Sequence, residues 1–128
     1  MNEEIFLNVV STFNSYKLLA KTFHWKEIQY MNKHEQLDKL YDLIVDFQDN
    51  FTEECIWIFG MPEIYKFHQC TNIQIMDAES LMQHIDEFIV SIKSILKETD
   101  NANYAGLESL VDNFIHDFNI IQYRFQLN

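Results

Sequence analysis

Five residues of metal-binding type are grouped in the first half of the chain: His24, His34, Asp38, Asp49 and Glu53. Imidazole and carboxylate together make a mixed nitrogen and oxygen donor set, suited to a borderline metal such as iron or zinc. Four of the five lie on one segment with helical periodicity. With His34 set to zero, Asp38, Asp49 and Glu53 fall at about 40°, 60° and 100° around that helix. The apolar stripe of the same helix is centred near ~270° and comprises Leu37, Leu40, Tyr41, Ile44, Phe47, Phe51, Cys55 and Ile58. Val45 and Ile56 are interleaved with the acidic residues, and Tyr41 and Thr52 stand at the margin. One side of this helix supplies a core, so a second side mixing carboxylates with apolar groups implies a subunit contact.

Axial spacing defines that contact further. Asp38 and Asp49 are separated by about 16 Å along the helix axis, too far to share a metal within one chain. A second copy laid antiparallel across a two-fold near Leu43–Val45 removes the difficulty. His34 and Asp38 of one chain then face Asp49 and Glu53 of the other, and two identical sites result. His24 precedes Trp25 at the end of the preceding helix. An antiparallel hairpin returns it to the level of His34, giving two imidazoles and three carboxylates per site. Singly, such residues are ordinarily solvated; their joint placement points to metal chemistry. The same face would also serve a non-catalytic helical protein that binds a partner or builds a structure.

Four helices are predicted to position these groups. The first spans roughly residues 3–28, with Phe6, Val9, Phe13, Tyr16, Ala20 and Phe23 at spacings of three and four. Asn2 is its N-cap, and Glu3 and Glu4 suit the positive end of the helix dipole. The second runs from about 33 to 59 and stops at Gly60, with Pro62 just beyond. The third opens at Asp77 and repeats Leu81, Ile85, Phe88, Ile89, Ile92 and Leu96. The fourth begins near Asn101 or Asn103 and repeats Leu107, Leu110, Phe114, Phe118, Ile121 and Phe125. Short links make antiparallel hairpins of helices one and two, and of three and four. The link over 61–76 is long enough to cross the bundle from end to end and has room for a short helix at 64–69. The expected fold is an all-α four-helix bundle, residues 1–128 as one domain, with the ferritin-like connection pattern.

Composition agrees with this reading. Two Gly and one Pro in 128 residues argue against a β-sandwich, a barrel or a glycine-loop nucleotide fold. A hydrophobic fraction of 48% excludes disorder. Twenty acidic against nine basic residues, a net charge of −11, argue against coating DNA or RNA, which requires Lys and Arg to neutralise phosphates. No apolar run reaches a membrane span, and the opening Met1-Asn2-Glu3-Glu4 lacks the basic start of a signal peptide. Cys55 and Cys70 have neither metal-ligand nor redox spacing, so free thiols in a reducing cytoplasm are expected.

The segments His24-Trp25, His34-Glu35-Gln36-Leu37-Asp38 and Asp49-Asn50-Phe51-Thr52-Glu53, followed by Gly60, resemble the Dps proteins, the mini-ferritins of bacteria and archaea. The resemblance is specific over residues 24–60 and architectural beyond. It implies an iron-binding ferroxidase centre at a dimer two-fold, with His24, His34 and Asp38 from one chain and Asp49 and Glu53 from its neighbour. Fe(II) would be oxidised by hydrogen peroxide or dioxygen, protecting against iron and peroxide stress, and zinc could substitute for iron in the site. The family further implies a homo-oligomer, a dimer at least, in its members a twelve-subunit shell that stores ferric iron and has acidic pores; Glu98 and Asp100 would lie near one. This chain departs from the family in a shorter spacing between the two histidines and a turn without Gly, and no basic DNA-binding tail is expected.

Other polar residues carry less. Asp112 and His116 stand at i, i+4 as a local pair, and His84 and Asp86 have no matching partner. His68 and Cys70 lack the second pair that a zinc site needs. Trp25 and Trp57 are expected to be packing anchors, and Cys55 an inert buried thiol.

Overall fold

The computed structural model describes residues 1–99 and 101–127. Four helices carry the fold: α1 (Glu3–Lys26), α2 (Met31–Phe59), α3 (Ala78–Thr99) and α4 (Ala105–Phe125). Short 3-10 turns occupy Ile64–His68 and Ala102–Tyr104, and no strand occurs among the described residues. Asn2 caps α1 by accepting a 2.9 Å bond from the Ile5 N–H. Asp77 caps α3 through the Ser80 N–H at 2.7 Å, and hydrogen bonding to Ser80 holds its carboxyl below the usual range. Gly60 ends α2 with a φ of 87°, a backbone conformation that glycine adopts without a Cβ penalty. α1 ends two residues before the predicted boundary, and α2 begins two residues earlier than predicted. The chain therefore turns through only Glu27–Tyr30, closed by a 2.9 Å bond from the Tyr30 N–H to the Glu27 carbonyl.

End-to-end contacts define the helix directions. Lys33, at the start of α2, lies 3.8 Å from Glu79 at the start of α3. Asn32 donates to the carbonyls of Arg124 and Leu127 at 2.7 Å each, so the end of α4 is at this same pole. At the opposite pole the Met1 ammonium reaches Thr99 at 3.3 Å, and Tyr104 donates to the Met1 carbonyl at 3.2 Å. The order is up, down, down, up. α2 packs on α1 and α4, and α3 packs on α4 and α1, so neighbouring helices are all antiparallel.

The long crossover makes this possible. Between α2 and α3 the chain runs back along α1, where a polar strip receives it. Asn14 donates to the carbonyls of Phe67 and Gln69 at 2.9 and 2.8 Å. Ser15 bonds the Thr71 carbonyl, and Ser11 and Thr12 meet the Thr71 hydroxyl at 2.9 and 3.1 Å. Thr12 and Ser15 are buried by this strap, which accounts for polar residues inside the α1 face.

The apolar stripes meet in one core, joined at Phe13 of α1. Its ring lies 4.9 Å from Phe47 of α2, 6.3 Å from Phe88 of α3 and 5.7 Å from Phe114 of α4. The predicted stripe residues are buried except Tyr41, Ile58, Phe88 and Leu110, which are half-buried at its edges. Trp25 and Trp57 do not anchor the core; they are 62% and 88% exposed. Trp57 falls about 140° round α2 from His34, well away from the core stripe, so its size could not bring it inside. Asp112 bonds Lys93 at 2.9 Å across α3 and α4, rather than acting as a local pair with His116. Glu98 is exposed at the end of α3, and Asp100, the other pore candidate, lies outside the described residues. Among the described residues no helix is long and apolar enough to cross a membrane.

Since Phe13 of α1 packs on each of the other three helices, Phe13→Ala should cost about 3–5 kcal/mol of stability in urea unfolding. A cost below about 1 kcal/mol would mean the core is not joined there.

Candidate metal centre

The tight turn brings His24 and His34 face to face. Their rings are stacked, with centroids 3.6 Å apart and planes 17° from parallel. Each Nδ1 meets the backbone carbonyl of the other residue: His24 Nδ1 to His34 O at 2.7 Å, and His34 Nδ1 to His24 O at 2.6 Å. A carbonyl can only accept, so both Nδ1 atoms carry a proton and donate. When either ring is neutral, its lone pair is therefore at Nε2. Metal-ligating histidines are commonly held in this way, with the distal N–H donated to a carbonyl that fixes tautomer and ring plane. The turn without Gly thus locks the histidine pair together.

Asp38 is one turn beyond His34, but its carboxylate is engaged. Lys21 of α1 lies 3.2 Å from Asp38 Oδ1, and its ammonium sits 4.4 Å above the Tyr41 ring. Both partners are part-exposed, which limits such a pair to about 1 kcal/mol or less. Lys21 was not singled out by the sequence reading. Its signal was there: it precedes His24 by three residues, on the neighbouring face of α1. Asp49 and Glu53 are exposed farther along α2 and meet neither histidine. Among the described residues no three His, Cys, Asp or Glu side chains gather closely enough to hold a metal. One chain brings His24 and His34 together and leaves the three carboxylates apart from them.

The outer face of α2 carries Glu35, Asp38, Asp42, Asp46, Asp49 and Glu53 within about 80° of arc, so much of the negative charge is concentrated there. Beside it runs an open groove of about 840 Å³ between α1, α2 and the crossover. Leu18, Trp25, Tyr41 and Val45 line it together with Asp49 and Cys70. Leu18 and Trp25 are each more than 60% exposed. Large apolar groups open to solvent beside carboxylates are characteristic of a surface that another molecule covers.

These features define an all-α four-helix bundle with an end-to-end crossover and a preorganised histidine pair at the α1–α2 turn. The chain belongs to the family described as "Family of unknown function (DUF5856)", whose profile matches residues 24–125 and so spans all five candidate residues. Neither the curated proteins nor the solved structures yielded a match.

The two thiols differ, Cys70 lining the groove and Cys55 lying in the core. Cys70 is exposed, whereas Cys55 is buried and desolvation pushes its thiol up to about 12, with the Glu54 carboxylate adding to the shift. A raised value keeps Cys55 protonated through neutral pH, and the thiolate is the reactive form. A disulfide reagent at neutral pH should titrate Cys70 alone in the folded protein and both thiols after unfolding. Equal rates for the two would contradict the packing of α2.

Proposed function

We propose that this protein is a ferritin-like, Dps-like ferroxidase that binds and oxidises Fe(II) at a two-fold interface between copies of the chain. The observation that carries the reading is the reciprocal Nδ1-to-carbonyl clamp of His24 and His34, which leaves Nε2 of each neutral ring for a metal. The up, down, down, up order with a long crossover is that of ferritin-like bundles. The exposed Asp49 and Glu53, and the uncovered groove beside them, are what a second copy would engage.

In this reading His24, His34 and Asp38 bind Fe(II) with Asp49 and Glu53 of the neighbouring chain. Carboxylates, as hard oxygen ligands, favour the Fe(III) product, and the clamped imidazoles hold geometry. Each Fe(II) gives up one electron, and hydrogen peroxide accepts two, or dioxygen is the oxidant. Zinc would occupy the same donors without redox chemistry. The acidic face of α2 raises the local concentration of Fe²⁺. Assembly into a twelve-subunit shell would add storage of ferric iron, in the cytoplasm and without DNA binding. The rival is a structural or partner-binding helical protein that keeps the same face. It is favoured by the absence of a three-ligand cluster among the described residues and by Lys21 on Asp38.

Calorimetric titration with Fe(II) under anaerobic conditions separates the two, together with the mass of the assembly. The ferroxidase reading expects stoichiometric binding and a species of at least dimer mass; no stoichiometric binding establishes the rival. Asp49→Ala and Glu53→Ala should lose Fe(II) oxidation while keeping the helical signal and melting temperature. Oxidation by Asp49→Ala at the wild-type rate would overturn the site. Lys21→Met removes the competing ammonium and is expected to tighten Fe(II) binding without slowing oxidation; weaker binding would show that Lys21 supports the site.

A further inference from the structure

The ring of Tyr16 is fully buried on α1, and its hydroxyl lies 2.6 Å from Nδ1 of His84 on α3. The same hydroxyl is 3.3 Å from the His84 backbone carbonyl. A phenol has one proton: with the His84 ring protonated at Nε2, Tyr16 donates to Nδ1 across the shorter contact, and with the ring protonated at Nδ1, the ring donates to the phenol oxygen and the phenol to the carbonyl. Phe13 and Phe88 pack on Tyr16 in T-shaped arrangements at 5.2 and 6.1 Å, within a site that leaves the tyrosine no exposure to water. Burial, with the Glu87 carboxylate adding, pushes the phenol far above its ordinary range, so it does not ionise alone. His84 is only half-buried and connects this interior proton to the surface.

We propose that Tyr16 and His84, the latter protonated at Nε2 with Nδ1 free to accept, form a proton-coupled one-electron donor, a site where oxidising equivalents that strike the protein come to rest. The oxidant is a strong one-electron acceptor, such as hydroxyl radical or an oxidised surface tryptophan. One electron leaves the Tyr16 ring, the O–H bond breaks, and the proton crosses to His84 Nδ1. The products are a neutral tyrosyl radical, the His84 imidazolium and the oxidant reduced by one electron, hydroxide in the case of hydroxyl radical. Oxidising a phenol without moving its proton would leave a radical cation in an apolar core, which is strongly unfavourable. The hydrogen bond removes that cost for Tyr16 and makes it easier to oxidise than an aromatic side chain lacking an acceptor. Trp25, exposed on the same helix, is about 14 Å away along the axis, a distance electrons cross readily in proteins. Tyr30, Tyr65 and Tyr123 are exposed, and radicals on them can couple with other molecules. A radical on Tyr16 is shielded from such coupling and lasts until it is reduced.

The proposal stands apart from the iron reading and is tested without iron. Light with tris(bipyridine)ruthenium and persulfate supplies the oxidant, and the frozen sample is read by electron paramagnetic resonance. Wild type should give a long-lived neutral tyrosyl signal that forms more slowly in D₂O. Tyr16→Phe should lose it and gain dityrosine cross-links between molecules. His84→Gln, which keeps an acceptor but cannot take up the proton, should lose it with the fold intact by circular dichroism. Tyr123→Phe should leave it unchanged. A persistent signal in Tyr16→Phe would overturn the proposal. If that variant does not fold, an undiminished signal in folded His84→Gln overturns it equally.

Discussion

The crossover from Gly60 to Asp77 is the constraint on which the rest of the molecule depends. Because it returns the chain to the pole where α2 began, α3 starts beside the start of α2, as the Lys33–Glu79 contact records. Every neighbouring helix pair is then antiparallel, and the partial charges at helix ends are adjacent to their opposites. The return path lies on α1 and needs hydrogen-bond partners for an irregular backbone. Asn14 and Ser15 donate to its carbonyls, the Ser11 carbonyl accepts from the Thr71 N–H, and the Ser11 and Thr12 hydroxyls hold the Thr71 side chain. The polar strip on an otherwise apolar helix is the imprint of that path. With one face of α1 given to the core and another to the strap, the side toward α2 is left to form the groove.

That groove places an apolar rim next to a strongly acidic helix face. A single chain pairs its histidines but separates its carboxylates, because a straight helix holds Asp38 and Asp49 about 16 Å apart. Lys21 meanwhile pairs with Asp38, one helical turn from His34, and offsets its charge. The histidine clamp costs little to maintain, since the His24 carbonyl lies in the last turn of α1, where carbonyls lack intrahelical donors, and the His34 carbonyl within α2 has a second lone pair to accept with. Tyr16 and His84 follow a similar rule in the core: a buried phenol needs an acceptor, and α3 supplies one.

Much of this was legible from residue order. The four helices, their caps at Asn2 and Asp77, the stop at Gly60, the crossover and nearly all core positions follow from spacings of three and four and from capping chemistry. The pairing of His24 with His34 also follows, because a hairpin must return the chain to the same level. Boundaries at the first turn were misplaced by two residues, since chain reversal there uses a compact turn that no Gly or Pro announces. Trp25 and Trp57 were misplaced because size alone does not bury a side chain that faces away from the core. Lys21 on Asp38 and His84 on Tyr16 were missed because each joins two helices, and pattern within one helix says nothing of a partner on the next.

Residue order by itself thus determined which side chains share a face: four of the five candidate ligands on α2, the acidic stripe of that helix and the four apolar stripes. That is helix periodicity, a local property of the backbone. Only the tertiary structure decided the stacked geometry and tautomer of the histidine pair, the lysine on Asp38, the exposed tryptophans and the Tyr16–His84 bond. Each of these depends on the distance and rotation between two elements, quantities set by packing and by the return path of the crossover.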